Sequence, residues 1–178
     1  MTSRKDKLKQ QLNLVPLSQE GGFFRETYRS NHEILNDEGN KRQTLTVIYY
    51  LISQDAGGRD YLHQNKSDHV HFFHCGWPLE YTIVTPSYEI KKIVLGPDPS
   101  KGDAFQLTVP GNYLKATRLM TERNECKTFP NEIPFALISE AVTPGFEYED
   151  RFCYNEELVK KLPKEIWAEL TELIPLKG

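Results

Sequence analysis

The feature that most constrains this chain is a succession of short apolar or alternating segments, each bounded by glycine, proline, asparagine or aspartate. Such segments are typical of β-strands separated by turns. In a chain of 178 residues, so many of them favour an all-β sandwich or barrel over a helical bundle. The predicted strands cover 23–29, 44–52, 69–74, 79–84, 89–95, 105–110, 114–120, 135–142 and 146–154.

Both ends of the chain carry helical patterns instead. Residues 4–12 place Leu8 and Leu12 four positions apart among charges, and residues 155–174 repeat apolar side chains every three to four positions with Pro163 between them. We therefore expect one domain over 1–178, with a barrel at about 20–154 and short terminal helices outside it.

Composition limits the partners. A net charge of -3 gives no basic field for a phosphate backbone, so we expect no nucleic acid partner. No apolar run approaches the roughly 20 residues that span a bilayer, so we expect no membrane insertion. The three cysteines lack C-x-x-C spacing, and no signal-like segment opens the chain. These features predict a cytoplasmic protein with a small-molecule ligand.

Histidines concentrate in one stretch. Residues 57–76 contain four of the five in the chain. In a strand, His69 and His71 share a face, and His63 can approach from the preceding strand. Neutral imidazoles of this kind bind divalent metals, so His63, His69 and His71 are candidate metal ligands. The alternative is that they fill the core or face solvent.

Further candidates lie on other segments. By alternation Glu26 and Tyr28 share a face, and a desolvated carboxylate there could act as a general base. The alternative for Glu26 is an Arg–Glu pair on an edge strand. Tyr50 can donate a hydrogen bond, and Glu147 follows a Pro-Gly turn and serves either a site or a polar surface.

The histidine stretch resembles the first motif of the cupin superfamily. Gly57, His63 and Gly76 stand at matching positions, while Asn65 replaces the second histidine of that motif and His69 its glutamate. The second cupin motif is echoed at 109–116. There Pro110 is in place, Asn112 replaces a glycine, and Lys115 stands where a histidine ligand would be.

The whole chain is similar to the cupin-like group called DUF985 or Cupin_5. The likeness rests on the segments at 20–30, 48–52, 67–80, 95–98, 109–112 and 142–152. It implies a cupin-type double-stranded β-helix, also called a jelly roll, often paired as a homodimer, with likeness to sugar-nucleotide epimerases and seed storage globulins. It implies no established reaction. The apolar segment 44–52 is consistent with a homodimer, because it predicts burial on both faces.

Three functions remain open at this stage. The first is an isomerase or epimerase acting on a sugar or similar metabolite, in which His63 or Glu26 takes a proton, His69 or His71 returns it, and Tyr50 or Tyr28 donates a hydrogen bond.

The second function is a metal-dependent cupin, and the third is a binding or storage protein without turnover. Lys115 would be a cation for an anionic substrate, and its ammonium would repel a metal. We therefore expect a divalent metal at weak or partial occupancy at most.

Overall fold

The computed structural model describes residues 3–17, 21–123 and 132–175. Three short α-helices are present: α1 (Arg4–Gln11), α2 (Glu156–Val159) and α3 (Trp167–Thr171). The strands are β1 (Val15–Pro16), β2 (Phe23–Arg29), β3 (Glu33–Leu35), β4 (Lys41–Gln43), β5 (Thr46–Ser53), β6 (Arg59–Asn65), β7 (Asp68–Gly76), β8 (Leu79–Val84), β9 (Ile90–Leu95), β10 (Gln106–Val109), β11 (Leu114–Leu119), β12 (Phe135–Thr143) and β13 (Arg151–Cys153).

The long strands form two antiparallel sheets. The first has the order β1-β2-β5-β12-β7-β10, and the second has the order β13-β6-β11-β8-β9. Strands β3 and β4 form a separate hairpin, joined by residues 36–40. Strands distant in sequence pair inside each sheet, as in the predicted cupin-type jelly roll, and the all-β prediction is confirmed.

Apolar side chains fill much of the space between the sheets. Strands such as β5 and β12 are rich in β-branched and aromatic residues, which pack well on a pleated surface. The core side chains include Leu51, Leu79, Leu95, Phe135 and Ile138, each less than 1% exposed.

A second apolar cluster joins the C-terminal helices to the outer face of the second sheet. Leu62 of β6 packs there with Val159 and Leu170. The backbone of Leu62 is also bound from outside its sheet. Its N–H donates to the carbonyl of Leu173 at 2.8 Å, and its carbonyl accepts from the N–H of Tyr154 at 2.9 Å.

The terminal helices predicted from sequence are confirmed, but the strand predicted at 146–154 is mostly wrong. Residues Tyr148–Asp150 form a 3-10 turn, and only Arg151–Cys153 pair as a strand. In this turn Glu149 and Asp150 accept hydrogen bonds from the buried guanidinium of Arg42, so these residues are held by side-chain contacts rather than by strand pairing. Cys126 lies outside the described residues. No described helix is long and apolar enough to span a membrane.

Gly76 closes β7 with φ of +105°, where a Cβ atom would overlap the backbone carbonyl of Phe135. Gly39 has a similar φ of +79°, but open space surrounds it. We expect Gly76→Ala to lower the free energy of unfolding by about 3 kcal/mol, through strain and overlap together, and Gly39→Ala by about 1 kcal/mol, through strain alone. Urea unfolding of both variants tests this, and equal losses would contradict it.

Candidate functional site

A cavity of about 210 Å³ opens between the two sheets, and apolar residues of the core such as Ile48 and Tyr50 form part of its lining. Strands β2, β5, β7 and β12 of the first sheet supply one wall, and β6, β11 and β13 of the second supply the other. His63, His69 and Lys115 all line this cavity. His71 lies directly behind it, fully buried beside His69 and Glu140.

The floor of the cavity is a buried polar cluster around Lys115. Its ammonium Nζ lies 3.2 Å from Nδ1 of His69, 3.2 Å from Nε2 of His71 and 3.7 Å from Oε2 of Glu140. A buried ammonium is costly unless acceptors surround it. Here two ring nitrogens accept hydrogen bonds from the ammonium, and the nearby carboxylate of Glu140 balances its charge, so the ammonium is not an isolated buried charge.

The contacts of Lys115 fix the tautomers of the two histidines beside it. An ammonium can only donate, so the nitrogens facing it must be unprotonated acceptors. In His71 the proton therefore lies on Nδ1, which is 3.5 Å from Glu140 and 3.3 Å from the hydroxyl of Tyr81. In His69 the Nδ1 atom lies 3.2 Å from the ammonium of Lys115 and 3.4 Å from Oε2 of Glu140. We assign Nδ1 as the acceptor of the shorter contact, which places the proton on Nε2, an atom that is buried without a partner among the described residues. The cluster thus leaves one N–H donor unused.

Electrostatics agree with neutral histidines in this cluster. Burial, reinforced by the charge of Lys115, lowers the pKa of His69 to about 3 and also lowers the pKa of His71. Burial alone would raise the pKa of Glu140, but Lys115 and the histidines hold it well below its usual value. At neutral pH the cluster therefore contains one ammonium, one carboxylate and two neutral imidazoles.

His63 stands across from Lys115 in the paired strands β6 and β11. Its Nδ1 lies 2.8 Å from the carbonyl of Tyr61, which can only accept, so Nδ1 carries the proton and Nε2 carries the lone pair. Asp60 lies 3.5 Å from the same Nδ1 and is itself 3.3 Å from Arg151. Burial, together with the charges of Lys115 and Arg151, holds the pKa of His63 well below 6.5.

A β-bulge brings Asp60 and His63 together. Between the pairs His63–Lys115 and Asp60–Thr117, two residues of β6 stand opposite the single residue Ala116. The extra residue breaks the alternation of faces, so positions three apart both line the cavity.

A second bulge shapes the mouth of the cavity. Thr27 is the extra residue between the pairs Glu26–Ile48 and Tyr28–Val47. Beyond it the faces are exchanged, so Arg29 joins Glu26 at the cavity while Tyr28 is exposed and does not line it. The predicted meeting of Glu26 and Tyr28 inside the barrel is therefore wrong.

Glu26 is not the desolvated base that the sequence suggested. It is partly exposed and holds Arg29 through two hydrogen bonds of 2.9 Å, while Glu147 accepts a third from the same guanidinium at 2.7 Å. The Arg–Glu pair considered from the sequence is thus present, with Arg29 as the partner. Tyr50 lines the cavity, but its hydroxyl donates to the carbonyl of Gly21 at 3.1 Å.

The structure groups a different set of candidate metal ligands from the one predicted. His69, His71 and Glu140 offer ligand atoms within 4.8 Å of one another, a group that could hold a metal ion. His63 lies in the same cavity but outside this group. The residues do not fit a metal as they stand, because the ammonium of Lys115 contacts all three of them and would repel a cation.

Sequence reasoning missed several residues that complete the cavity and the cluster behind it. One of them had a visible signal, because Glu140 is the one charge in the apolar segment 135–142. The others are Asp60, Arg29, Tyr81 and Arg151, whose roles depend on bulges and on pairing between distant strands.

The buried neutral histidines predict a pH dependence of stability. Their pKa values are lower in the folded chain than in the unfolded one, so the free energy of unfolding should fall as the pH drops below about 6.5, by up to about 1.4 kcal/mol per pH unit for each histidine. Urea unfolding between about pH 7 and pH 5 measures this slope. We expect a shallower slope for His69→Gln and an unchanged slope for His32→Gln, whose side chain is exposed. Equal slopes would contradict the assignment.

Comparison with known proteins identifies relatives of this chain. An uncharacterized protein of Saccharomyces cerevisiae, YML079W, is 33% identical over 154 residues, which cover 80% of this chain and 72% of the yeast protein. A hypothetical protein from Leishmania major superposes with a TM-score of 0.83 and 25% identity, covering 97% of this chain and 99% of the other. Protein SO0799 from Shewanella oneidensis superposes with a TM-score of 0.77 and 25% identity, covering 99% of this chain and 100% of the other.

The family profile Cupin_5, described as "Cupin superfamily (DUF985)", matches residues 6–153. That match spans the two sheets and every residue of the cavity discussed above. The resemblance found in the sequence is confirmed, and the chain belongs to the Cupin_5 (DUF985) family of the cupin superfamily.

Proposed function

We propose that the cavity binds a small polar metabolite containing a carbonyl group and transfers a proton at the adjacent carbon, as an isomerase or epimerase does. One observation carries this proposal. His63 and His69 line the same cavity as opposite tautomers, the first with a lone pair on Nε2 and the second with an unpaired N–H on Nε2. A base and a hydrogen-bond donor are the two groups that such a reaction needs.

His63 is the base in this proposal. Its Nε2 takes the proton from carbon, and the electron pair of the broken C–H bond moves to form an enolate whose charge lies on the former carbonyl oxygen. A low pKa keeps His63 unprotonated before the reaction. The imidazolium formed is stabilised by the enolate and by Asp60, which lies 3.5 Å from Nδ1.

His69 stabilises the enolate oxygen. Its Nε2–H is the donor, and Lys115 makes that donor more acidic because its ammonium binds the opposite ring nitrogen at 3.2 Å. A fixed donor of this kind acts where charge develops during the reaction. In an isomerisation the proton on His63 goes to the neighbouring carbon, while the hydroxyl proton of the intermediate moves to the enolate oxygen, so that the carbonyl forms at the carbon that first lost its proton. In an epimerisation the enolate turns over in the cavity, and the proton returns to the other face of the same carbon.

Replacement of His63 tests the proposed base. In heavy water, the wild-type protein should exchange the carbon-bound proton next to the carbonyl of one or more of dihydroxyacetone, D-xylulose and D-fructose. His63→Gln should lower that rate by at least about 100-fold, because general base catalysis contributes roughly this much. Proton NMR follows the exchange.

His32→Gln provides the matched control, since it removes an exposed histidine outside the cavity and should exchange as fast as wild type. A wild-type protein that is stabilised by these ketones but exchanges no proton would favour the binding protein without turnover. Exchange by His63→Gln at the wild-type rate would contradict the assignment of the base.

A metal-dependent reaction is the second candidate, favoured by the grouping of His69, His71 and Glu140. Because Lys115 contacts each of these residues, we propose at most weak or partial metal occupancy. Titration calorimetry with Zn²⁺ and Mn²⁺, on protein purified without a histidine tag, should show weak binding or none.

Removal of the ammonium should release the metal site. We expect Lys115→Ala to bind Zn²⁺ at least about tenfold more tightly than wild type, since the repelling charge is gone and three ligands remain. The double variant Lys115→Ala, His71→Ala should lose that gain, and Lys66→Ala, at a lysine outside this cluster, should behave as wild type. A full equivalent of tightly bound metal in the wild-type protein would contradict the proposal that metal occupancy is at most weak or partial.

A further inference from the structure

The balance of charge in the cavity carries information about its ligand. Among the described residues, four carboxylates line the cavity, those of Glu26, Asp60, Glu140 and Glu147, against three cations, those of Arg29, Lys115 and Arg151. His69 is neutral because its Nδ1 accepts from Lys115, and burial near two cations keeps the pKa of His63 well below its usual value. The lining therefore has an excess of one negative charge.

None of the three cations is placed to receive an anion. Lys115 directs its donors to His69, His71 and Glu140. Arg151 is engaged by Asp60 at 3.3 Å. A phosphate or carboxylate entering the cavity would have to displace one of these carboxylates from its cation. The expectation that Lys115 serves an anionic substrate is therefore not supported by its contacts.

The excess negative charge is concentrated at the mouth. Arg29 is bound by two carboxylates at once, Glu26 through two hydrogen bonds and Glu147 through one. This group carries one net negative charge, whereas the pairs Asp60–Arg151 and Glu140–Lys115 are each balanced. A cation at the mouth would be attracted.

Aromatic rings border the same group. Phe146 and Tyr148 flank Glu147 in sequence, and their rings meet edge to face with centroids 5.1 Å apart. Both line the cavity, and so does Phe24. Carboxylates beside aromatic faces are a recurring environment for ammonium groups, because ring faces also attract cations.

The floor supplies a separate requirement. His69 is only 5% exposed, and its Nε2 is buried without a partner among the described residues. Because this nitrogen carries a proton, the group that completes it is a hydrogen-bond acceptor such as an oxygen atom. The cavity thus favours a ligand with an oxygen near His69 at its floor and a positive group near Glu26 and Glu147 at its mouth.

We propose that the ligand is a small amine that also carries carbonyl or hydroxyl oxygens, of which an amino sugar is the simplest example. The proposal rests on the proposed function in taking this cavity as the binding site, and it specifies the class of molecule that enters. Glu26 and Glu147 select the amine, and His69 binds the oxygen. Molecules of the same shape with a phosphate or carboxylate are rejected.

Sugars matched in shape but differing in charge test the selection. By titration calorimetry at low salt, D-glucosamine should bind more tightly than D-glucose, and D-glucose more tightly than D-glucuronate. The preference should shrink when NaCl is added, because the mouth is partly exposed and its charges are screened. Equal or tighter binding of the acid would overturn the proposal.

Smaller probes test the mouth independently of the sugar frame. Methylammonium, acetate and inorganic phosphate are titrated into isotope-labelled protein, and amide shifts around Glu147 and Tyr148 are followed by NMR. Methylammonium should shift these amides at tens of millimolar, and the two anions should not. Absence of any response to methylammonium over that range would also overturn the proposal.

Charge removal at the mouth gives the final control. Glu147→Gln should reduce the preference for glucosamine over glucuronate by about threefold or more, while Glu149→Gln, the same change two residues away and outside the cavity lining, should leave it unchanged. Equal effects of the two variants would refute the role of Glu147. If the charge order holds but no proton exchange is found, the proposed reaction fails and the ligand class stands.

Discussion

The site depends on one buried ammonium. Lys115 enters from the second sheet, and the three groups that receive it, His69, His71 and Glu140, all belong to the first. The contact therefore joins the two sheets through polar atoms beside the cavity. Removal of one partner from such a buried network commonly costs about 3–5 kcal/mol. The same contact sets the histidine tautomers, so stability and chemistry share one group.

The alternation of faces in β-strands accounts for what the sequence could and could not predict. The alternation correctly placed His69 and His71 on one face, because β7 is regular over those residues. It failed at Tyr28, since the extra residue Thr27 exchanges the faces of β2. No rule of composition marks either bulge, and a single extra residue reverses every assignment that follows it. Assigning side chains to faces by alternation is therefore reliable only where strand pairing continues without a bulge.

The all-β fold and the Cupin_5 family were predictable because they rest on many short segments at once. The partners within the site were not, because they depend on contacts between residues far apart in the chain. Glu140 meets His71 across the strand register of β12 and β7, 69 positions away. Lys115 was identified from its place in a degraded motif, but only the structure shows that its ammonium stands among the groups that would bind a metal.

The binding of Leu62 by the C-terminal segment has a mechanical consequence. Leu62 belongs to the bulge that aligns Asp60 with His63, and its two backbone groups are held by Leu173 and Tyr154 rather than by the neighbouring strands. The segment after the barrel thus supports β6 from outside the sheet, while His63, the proposed base, lies on the cavity side of the same strand. The C-terminal segment therefore constrains the backbone of the strand that carries His63, although the segment itself lies outside the cavity.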